Sequence, residues 1–490
     1  MNSKLARLIY PEYRFGKTDP AEGLRLVKMG VGGFCIYGGS PEEIRKTTSA
    51  LQSASGTPLI FSADYENGAG QWMKDATQLP SNMAVGASGS EEIARRKAQI
   101  TAREAAALGV SWILAPVTDL ATRAENPIVN TRAFGEDPGL VSRMAGAYIS
   151  GLRSENSISC IKHFPGHGET SLDSHLELPI VDRSRSQLEE SELRPYRNLL
   201  SRSDTVMIGH LKVPDLDPEI PASFSRKIIT GLLREELGFE GCVVTDALSM
   251  KAVENERFAG VAALLAGADI LLVPDDPYKL LDSLKNAYGG SRITDGVITA
   301  ALKRQDILVR KTGPALINRP GLDIVGCREH RDFITNCAPE CLAWVRRPSA
   351  AILKRGDSVE YMEPGVSDPI LWNGKAFVAA LKKLGIRTNR VSGQKTSMLI
   401  AASFSRPRAY SGSINLSPEN REEIALKSAK AASVTMISFG SPFVFEGMNC
   451  RPAAKLCAFC ALDEFQAAAA QVLAGTAEAR GMMPVTIKEK

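Results

Sequence analysis

Three of the five histidines in the chain fall within one stretch, Lys162-His163-Phe164-Pro165-Gly166-His167-Gly168-Glu169-Thr170-Ser171-Leu172-Asp173-Ser174-His175. The same stretch holds a lysine and places an acidic residue two positions before a histidine. In Asp173-Ser174-His175 the carboxylate can accept from one imidazole nitrogen and leave the other free to exchange a proton. An imidazole pKa of about 6.5 suits both giving and taking that proton at neutral pH. The plainer alternative is a surface loop pair with no partner. Asp246 ends the apolar run in Gly241-Cys-Val-Val-Thr-Asp-Ala-Leu-Ser-Met250. A carboxylate desolvated on one side and fixed in direction suits a nucleophile, although Asp is also a favoured N-cap for a following helix. Asp64, Arg132, Lys162 and His163 form a charged set able to grip several hydroxyls, because unpaired polar groups penalise a wrong ligand. For Arg132 the alternative is an ordinary ion pair with Glu136 or Asp137.

Elements must bring these residues together. The first ~310 residues alternate short β-rich runs with longer helical patterns, the signature of a parallel sheet covered on both faces. Strands are expected at Gly32 to Tyr37, Pro58 to Ala63, Trp112 to Pro116, Ile158 to His163, Thr205 to Gly209, Cys242 to Thr245 and Ile270 to Val273. Helices are expected at Ser90 to Leu108, Leu140 to Arg153 and Gln187 to Ser201. This repetition predicts an α/β fold with an N-terminal TIM-like (β/α) barrel over residues 1–315. Asp64, Asp119, Lys162, His163, His210 and Asp246 then sit at or just past the C-terminal ends of strands, where a barrel collects its chemistry. A linker over 316–345 leads to a smaller α/β sandwich over 346–490. There, strands are expected at Ala350 to Leu353, Met398 to Ala402 and Val434 to Phe439, and helices at Gly374 to Leu384, Pro418 to Ala432 and Asp463 to Ala479.

Composition narrows the classes. At 490 residues, two domains are expected. Apolar content of 44% and charged content of 23% match a globular chain. A net charge of +4 gives no reason to expect nucleic acid or an anionic membrane as partner. No apolar run approaches the ~20 residues of a membrane span, and the first ten residues lack the pattern of a cleaved leader, so a cytoplasmic location is expected. The nine cysteines are scattered and odd in number, which reads as buried small hydrophobes in a reducing compartment. Cys457-Ala-Phe-Cys460 has the spacing of half a zinc site, but no second pair completes it, so no metal is expected.

The motif Lys-His-Phe-Pro-Gly-His-Gly followed after four residues by Asp-Ser-His resembles the β-N-acetylglucosaminidase branch of glycoside hydrolase family 3. Further matching pieces follow in order: Ala115-Pro-Val-Thr-Asp119, Arg132-Ala-Phe-Gly-Glu-Asp-Pro138, Val206-Met-Ile-Gly-His210, Pro221-Ala-Ser-Phe-Ser225 and Thr245-Asp-Ala-Leu-Ser-Met250. The resemblance covers roughly residues 5 to 310, with a looser likeness in the C-terminal third. It implies a retaining exo-β-N-acetylglucosaminidase that works through a covalent glycosyl-enzyme, on a small saccharide or muropeptide in peptidoglycan turnover, without a cofactor. Asp246 would be the nucleophile, His175 the acid/base and Asp173 its orienting carboxylate. Asp64, Arg132, Lys162 and His163 would hold the sugar, and Met207 and His210 would line the pocket. Relatives usually show Asp-x-Glu-Gly-Gly and then an arginine; this chain has Asp64-Tyr-Glu-Asn-Gly-Ala-Gly-Gln-Trp-Met-Lys74, with Trp72 in the arginine's place. Lys74 lacks the bidentate fork that would replace it. Two other readings remain: a phosphorylase or another β-glycosidase of the same family, and a catalytically silent sugar-binding barrel.

Overall fold

Strands covered on both faces are short and continuously apolar, and most strands of the first unit of the chain are of this kind. The computed structural model describes residues 2–488 apart from 171–177, 254–257, 366–372, 406 and 408–413. In chain order its first strands are β1 (Ile9–Tyr10), β2 (Glu12–Arg14), β3 (Gly33–Tyr37), β4 (Ile60–Ala63), β5 (Trp112–Ile113), β6 (Cys160–Phe164), β7 (Thr205–Ile208), β8 (Cys242–Thr245) and β9 (Leu271–Leu272). The ladders β2-β3-β4-β5, β6-β7-β8 and β1-β9 are all parallel. Isolated parallel bridges Trp112–Ile158 and Val117–Lys162 link the β5 segment to the β6 segment, and Val244–Ile270 links β8 to the residue ahead of β9. Parallel neighbours require crossovers, and helices such as Pro20–Met29, Pro41–Ala54 and Glu91–Leu108 supply them. The second of these starts on a capping box, with Ser40 and Glu43 satisfying each other's backbone N–H groups and Pro41 in the first turn.

Side chains from most of these strands meet in one buried cluster that includes Tyr10, Cys35, Ile60, Trp112, Cys160, Met207, Cys242, Val244 and Leu272. Burying each large member is worth about 1.5–3 kcal/mol. Trp112 also donates from Nε1 to Thr205 Oγ1 at 3.1 Å, so its polar edge is satisfied inside the core.

The second unit comprises residues 80–93, 121–140 and 328–490. Its sheet contains β10 (Ala343–Arg346), β11 (Ser358–Met362), β12 (Arg387–Arg390), β13 (Thr396–Ser403), β14 (Ala431–Ser438) and β15 (Ala454–Cys457), in the order β10-β15-β14-β13-β11-β12. All neighbours are parallel except β10 and β15. The two early segments join this unit through side-chain bonds. Ser81 Oγ donates to the Phe459 carbonyl at 3.0 Å, and Asn130 Nδ2 donates to Ser441 Oγ at 3.0 Å. Among the described residues no helix is long and apolar enough to cross a membrane.

Several expected elements change, among them the helix expected over Asp463 to Ala479, which ends at Leu473. Ala350 to Leu353 is not a strand, because the N–H groups of Ile352 and Leu353 both go to the Leu473 carbonyl at the end of the helix Asp463–Leu473. The helix expected over Gln187 to Ser201 is broken into Arg185–Glu190, Leu193–Leu199 and a short turn Leu200–Arg202. Ser191 Oγ bonds back to the Gln187 carbonyl at 2.6 Å, the local competition that interrupts helices. The helix starting at Pro418 ends at Ser428, and Ala431 and Ala432 open β14 instead.

Candidate active site

In parallel strands the C-terminal ends share one edge, and the charged residues gather at that edge. Asp64 directly follows β4, Lys162 and His163 lie in β6, His210 comes two residues after β7, and Asp246 directly follows β8. Lys162 is 2% exposed, and its Nζ sits 2.8 Å from Asp64 Oδ1 and 2.7 Å from Glu66 Oε1. An ammonium this buried is held by ion pairs rather than by water. Asp64 retains an exposed portion, 26% of its side chain, so one carboxylate of the pair faces solvent at the strand edge. Its other oxygen, Oδ2, takes a long 3.4 Å bond from the Tyr37 hydroxyl, and its carbonyl accepts from Trp72 Nε1 at 2.9 Å.

Asp119 organises the next layer. It is fully buried and accepts three hydrogen bonds: from the His163 backbone N–H at 3.1 Å, from the His167 backbone N–H at 2.8 Å and from His163 Nδ1 at 2.6 Å. Burial pushes its carboxyl up, but the charges and hydrogen bonds of His163 and then His167 outweigh that and hold it below the usual carboxylate value. With Nδ1–H directed at Asp119, the Nε2 edge of His163 is the one left to face other groups. The Thr170 hydroxyl donates to the His167 carbonyl at 3.0 Å, so its oxygen is the acceptor for His167 Nδ1 at 2.7 Å.

Asp246 is anchored through its backbone and its neighbour. Its N–H bonds to the Ile208 carbonyl at 3.0 Å, and its Oδ1 accepts from the Ala247 N–H at 2.8 Å. His210, fully buried, donates from Nε2 to the Ala247 carbonyl at 3.1 Å and places Nδ1 2.8 Å from Ser223 Oγ. The residue after Asp246 is thereby held from both sides. Met207 belongs to the buried cluster below this edge. Burial drives the Cys160 thiol up to about 12, with Lys162 lowering it and Asp64 and Asp246 raising it. All three charged groups therefore lie within electrostatic reach of one buried sulfur.

Arg132 belongs to the second unit, where Nη1 donates to the Ile128 carbonyl at 3.2 Å and its own carbonyl accepts from Asn82 Nδ2 at 2.7 Å. Asp173 and His175 lie outside the described residues. Glu66 carried no role in the sequence reading, although it stood in the quoted motif; nothing in its spacing announces that it shares Lys162 with Asp64. Asp119, noted only as a strand-end residue, proves to be the common acceptor for His163 and His167. Trp72, at the position where an arginine was expected, packs its ring edge-on to Tyr37 with centroids 5.1 Å apart. Lys74 is exposed. Asn67, in place of a glycine, accepts from the buried Lys97 Nζ at 3.0 Å.

Residues 1–306 match the family model described as the glycosyl hydrolase family 3 N terminal domain. The chain belongs to glycosyl hydrolase family 3. Among its relatives is the β-N-acetylglucosaminidase/β-glucosidase of Cellulomonas fimi, 34% identical over 286 residues, covering 55% of this chain and 49% of that protein. Another is the β-hexosaminidase of Nitrosomonas eutropha, 33% identical over 272 residues, covering 52% of this chain and 78% of that one. The chain spans about half the length of the first of these. A solved family 3 β-N-acetylglucosaminidase from Paenibacillus sp. FPU-7 superposes with a TM-score of 0.88 at 25% identity, over 100% of this chain and 99% of that one. A β-glucoside phosphorylase shares the fold, with a TM-score of 0.90 at 23% identity over 99% of this chain and 94% of that one.

Proposed function

We propose that this family 3 chain is a retaining exo-β-N-acetylglucosaminidase that removes terminal β-linked N-acetylhexosamine, with peptidoglycan fragments as its natural substrates. The observation that carries the reading is the Lys162–Asp64 pair at the strand edge from which Asp246 also emerges. Relatives named for β-hexosaminidase activity support it. In the first step the Asp246 carboxylate attacks the anomeric carbon as the glycosidic C–O bond breaks, and the His175 imidazolium gives its proton to the leaving oxygen. Neutral His175, oriented by Asp173, then takes a proton from water, which attacks the same carbon and releases Asp246. Asp64 and Lys162 hold sugar hydroxyls, and His163 and Arg132 complete the binding set. In the same proposal the parallel strands of the first unit close as a (β/α) barrel, and the sheet of the second unit is the core of an α/β sandwich; the boundaries expected at 315 and 346 give way to a second unit that also takes residues 80–93, 121–140 and 328–345.

A second reading keeps the glycosyl-enzyme and replaces water with phosphate. The β-glucoside phosphorylase of the same fold motivates it, as does an imidazole acid/base, which does not repel an anionic acceptor. Release of 4-nitrophenol from the β-N-acetylglucosaminide and from the β-glucoside, measured with and without phosphate, separates these readings. The hydrolase predicts turnover of the acetamido sugar independent of phosphate. Asp246→Ala should then lose about 10⁴-fold in kcat, and His175→Ala about 10²–10⁴-fold. A rate that rises with phosphate, together with formation of a sugar 1-phosphate, would establish the second reading. Cleavage of neither glycoside by folded protein would leave a sugar-binding barrel.

A further inference from the structure

The loop after β4 is pinned at several points before it presents Trp72. A short helical turn, Ala69–Gln71, ends on Trp72, whose N–H bonds to the Ala69 carbonyl at 3.0 Å. The Asn67 N–H donates to Gln71 Oε1 at 3.0 Å, and Asn67 Oδ1 accepts from Lys97 Nζ at 3.0 Å. The returning stretch is tied on by the Gly70 N–H to the Thr77 carbonyl at 3.0 Å and the Leu79 N–H to the Asn67 carbonyl at 2.8 Å. A Cβ on Gly70 would stand 2.3 Å from the Gln78 nitrogen, so glycine is what lets the two stretches lie this close. The Trp72 ring is therefore set in place by the fold, before any ligand arrives.

An indole carries a single N–H donor, and Trp72 spends it on the Asp64 carbonyl at 2.9 Å. What the side chain still offers a ligand is apolar ring surface. Tyr37 backs it: the buried phenol meets Trp72 edge-on, carries the Arg14 guanidinium over its ring at 4.2 Å and reaches Asp64 Oδ2 through its hydroxyl at 3.4 Å. Trp72 and Ala247, the residue after Asp246, are both half-buried and pack on the same apolar cluster. An aromatic wall thus stands at the strand edge beside the partly open carboxylate of Asp64.

We propose that Trp72 is a further substrate-positioning residue: its ring is the platform on which the pyranose of the terminal sugar stacks. The proposal rests on the hexosaminidase reading above and adds a specificity to it. A pyranose carries hydroxyls on its rim and C–H groups on its faces, so an apolar ring grips the face and leaves the rim to polar groups such as Asp64. A site that hydrogen-bonds a hydroxyl rejects its absence by about 10⁴–10⁵-fold, whereas an apolar wall discriminates by only about 10²-fold or less. The vicinal hydroxyl pair of a terminal 2-acetamido sugar is at C3 and C4. A hydroxyl turned toward Trp72 has no hydrogen bond there to lose, so the site tolerates inversion at C4.

Titration of the full chain with N-acetylglucosamine, followed by tryptophan fluorescence, tests the platform directly. A saturable change is expected in the parent and not in Trp72→Phe, which keeps the other three of the four tryptophans. In steady-state kinetics, Trp72→Ala should raise KM for 4-nitrophenyl β-N-acetylglucosaminide about tenfold. Trp72→Phe should restore most of that affinity although it too lacks the N–H to Asp64, which separates stacking from a merely structural bond. The parent should cleave the β-N-acetylgalactosaminide with a kcat/KM within about 10²-fold of the glucosaminide. Fluorescence that is flat or the same in parent and Trp72→Phe, an unchanged KM in Trp72→Ala, or a larger preference between the two epimers would overturn the proposal. Failure of the hydrolase reading looks different: neither glycoside is cleaved, while a saturable signal lost in Trp72→Phe still puts a sugar on this ring.

Discussion

Lys162 carries one positive charge between carboxylate oxygens of Asp64 and Glu66, at 2.8 and 2.7 Å; Lys162 and Glu66 are buried, while Asp64 keeps its outer side open to water. Removing one partner from a buried ion set is more costly than the set was worth, because the remaining charges stay desolvated. Lys162→Met should therefore lower stability by about 3–5 kcal/mol and raise KM for the chromogenic glycoside, read by urea unfolding and steady-state kinetics. Asp119 bears on pH. Its folded carboxyl is held below the unfolded value of about 3.9. Its contribution is therefore fully present above that value and is lost as pH falls through the lower, folded value. In Asp119→Asn the melting temperature should lie below the parent's at pH 6, and the gap should narrow between pH 4 and pH 2. A gap constant over that range would show that Asp119 does not supply this stability.

At the scale of elements, the loop after β6 is seated by backbone contact rather than by side-chain fit. A Cβ on Gly168 would lie 2.2 Å from the Leu120 carbonyl oxygen, a main-chain atom next to Asp119. Gly168→Ala must then push the loop away from residues 118–120 and stretch the 2.8 Å bond from His167 N–H to Asp119. Overpacking of this kind costs about 1–3 kcal/mol. Because the same loop leads to Asp173 and His175, kcat should drop more than KM changes. An unaltered kcat with a lowered melting temperature would separate the seat of the loop from the chemistry. On the other side, the Glu192 side chain packs where a Cβ on Gly166 would fall, 2.5 Å from the Glu192 Cβ. Two glycines thus admit neighbours that no larger residue would.

For the whole molecule, the chain does not divide at a single point. The second unit takes residues 80–93 and 121–140 from inside the N-terminal region, and these segments bond to Phe459, Ser441 and Pro484. A chain ending at residue 327 would leave Ser81, Asn130 and the Glu136 N–H without those partners. Its residues 80–93 and 121–140 should lose protection from hydrogen exchange, and its thermal transition should fall below that of the full chain or lose its cooperativity. A sharp transition at the parent temperature would mean that these segments fold without the C-terminal sheet. Arg132 lies on one of them, so its placement depends on residues more than 300 positions away, such as Ser441 bonded to Asn130.

The parallel α/β architecture and the strand-end position of Asp64, Lys162, His163, His210 and Asp246 were legible in the sequence alone. Continuous apolar runs and helical periodicity are local signals, and a parallel pairing sends every C-terminal end to one edge. The family was legible too, through motifs in a fixed order. The pairings within that edge were not. Glu66 beside Lys162, Asp119 beneath both His163 and His167, and His210 clasping Ala247 are contacts between separate strands, set by register and burial. Short strands such as β1 and β15 escaped notice because two to four residues carry no periodicity. The assembly of the second unit from three separate segments was decided by tertiary structure for the same reason: residues such as Asn130 and Ser441, 311 positions apart, become neighbours only when the chain folds.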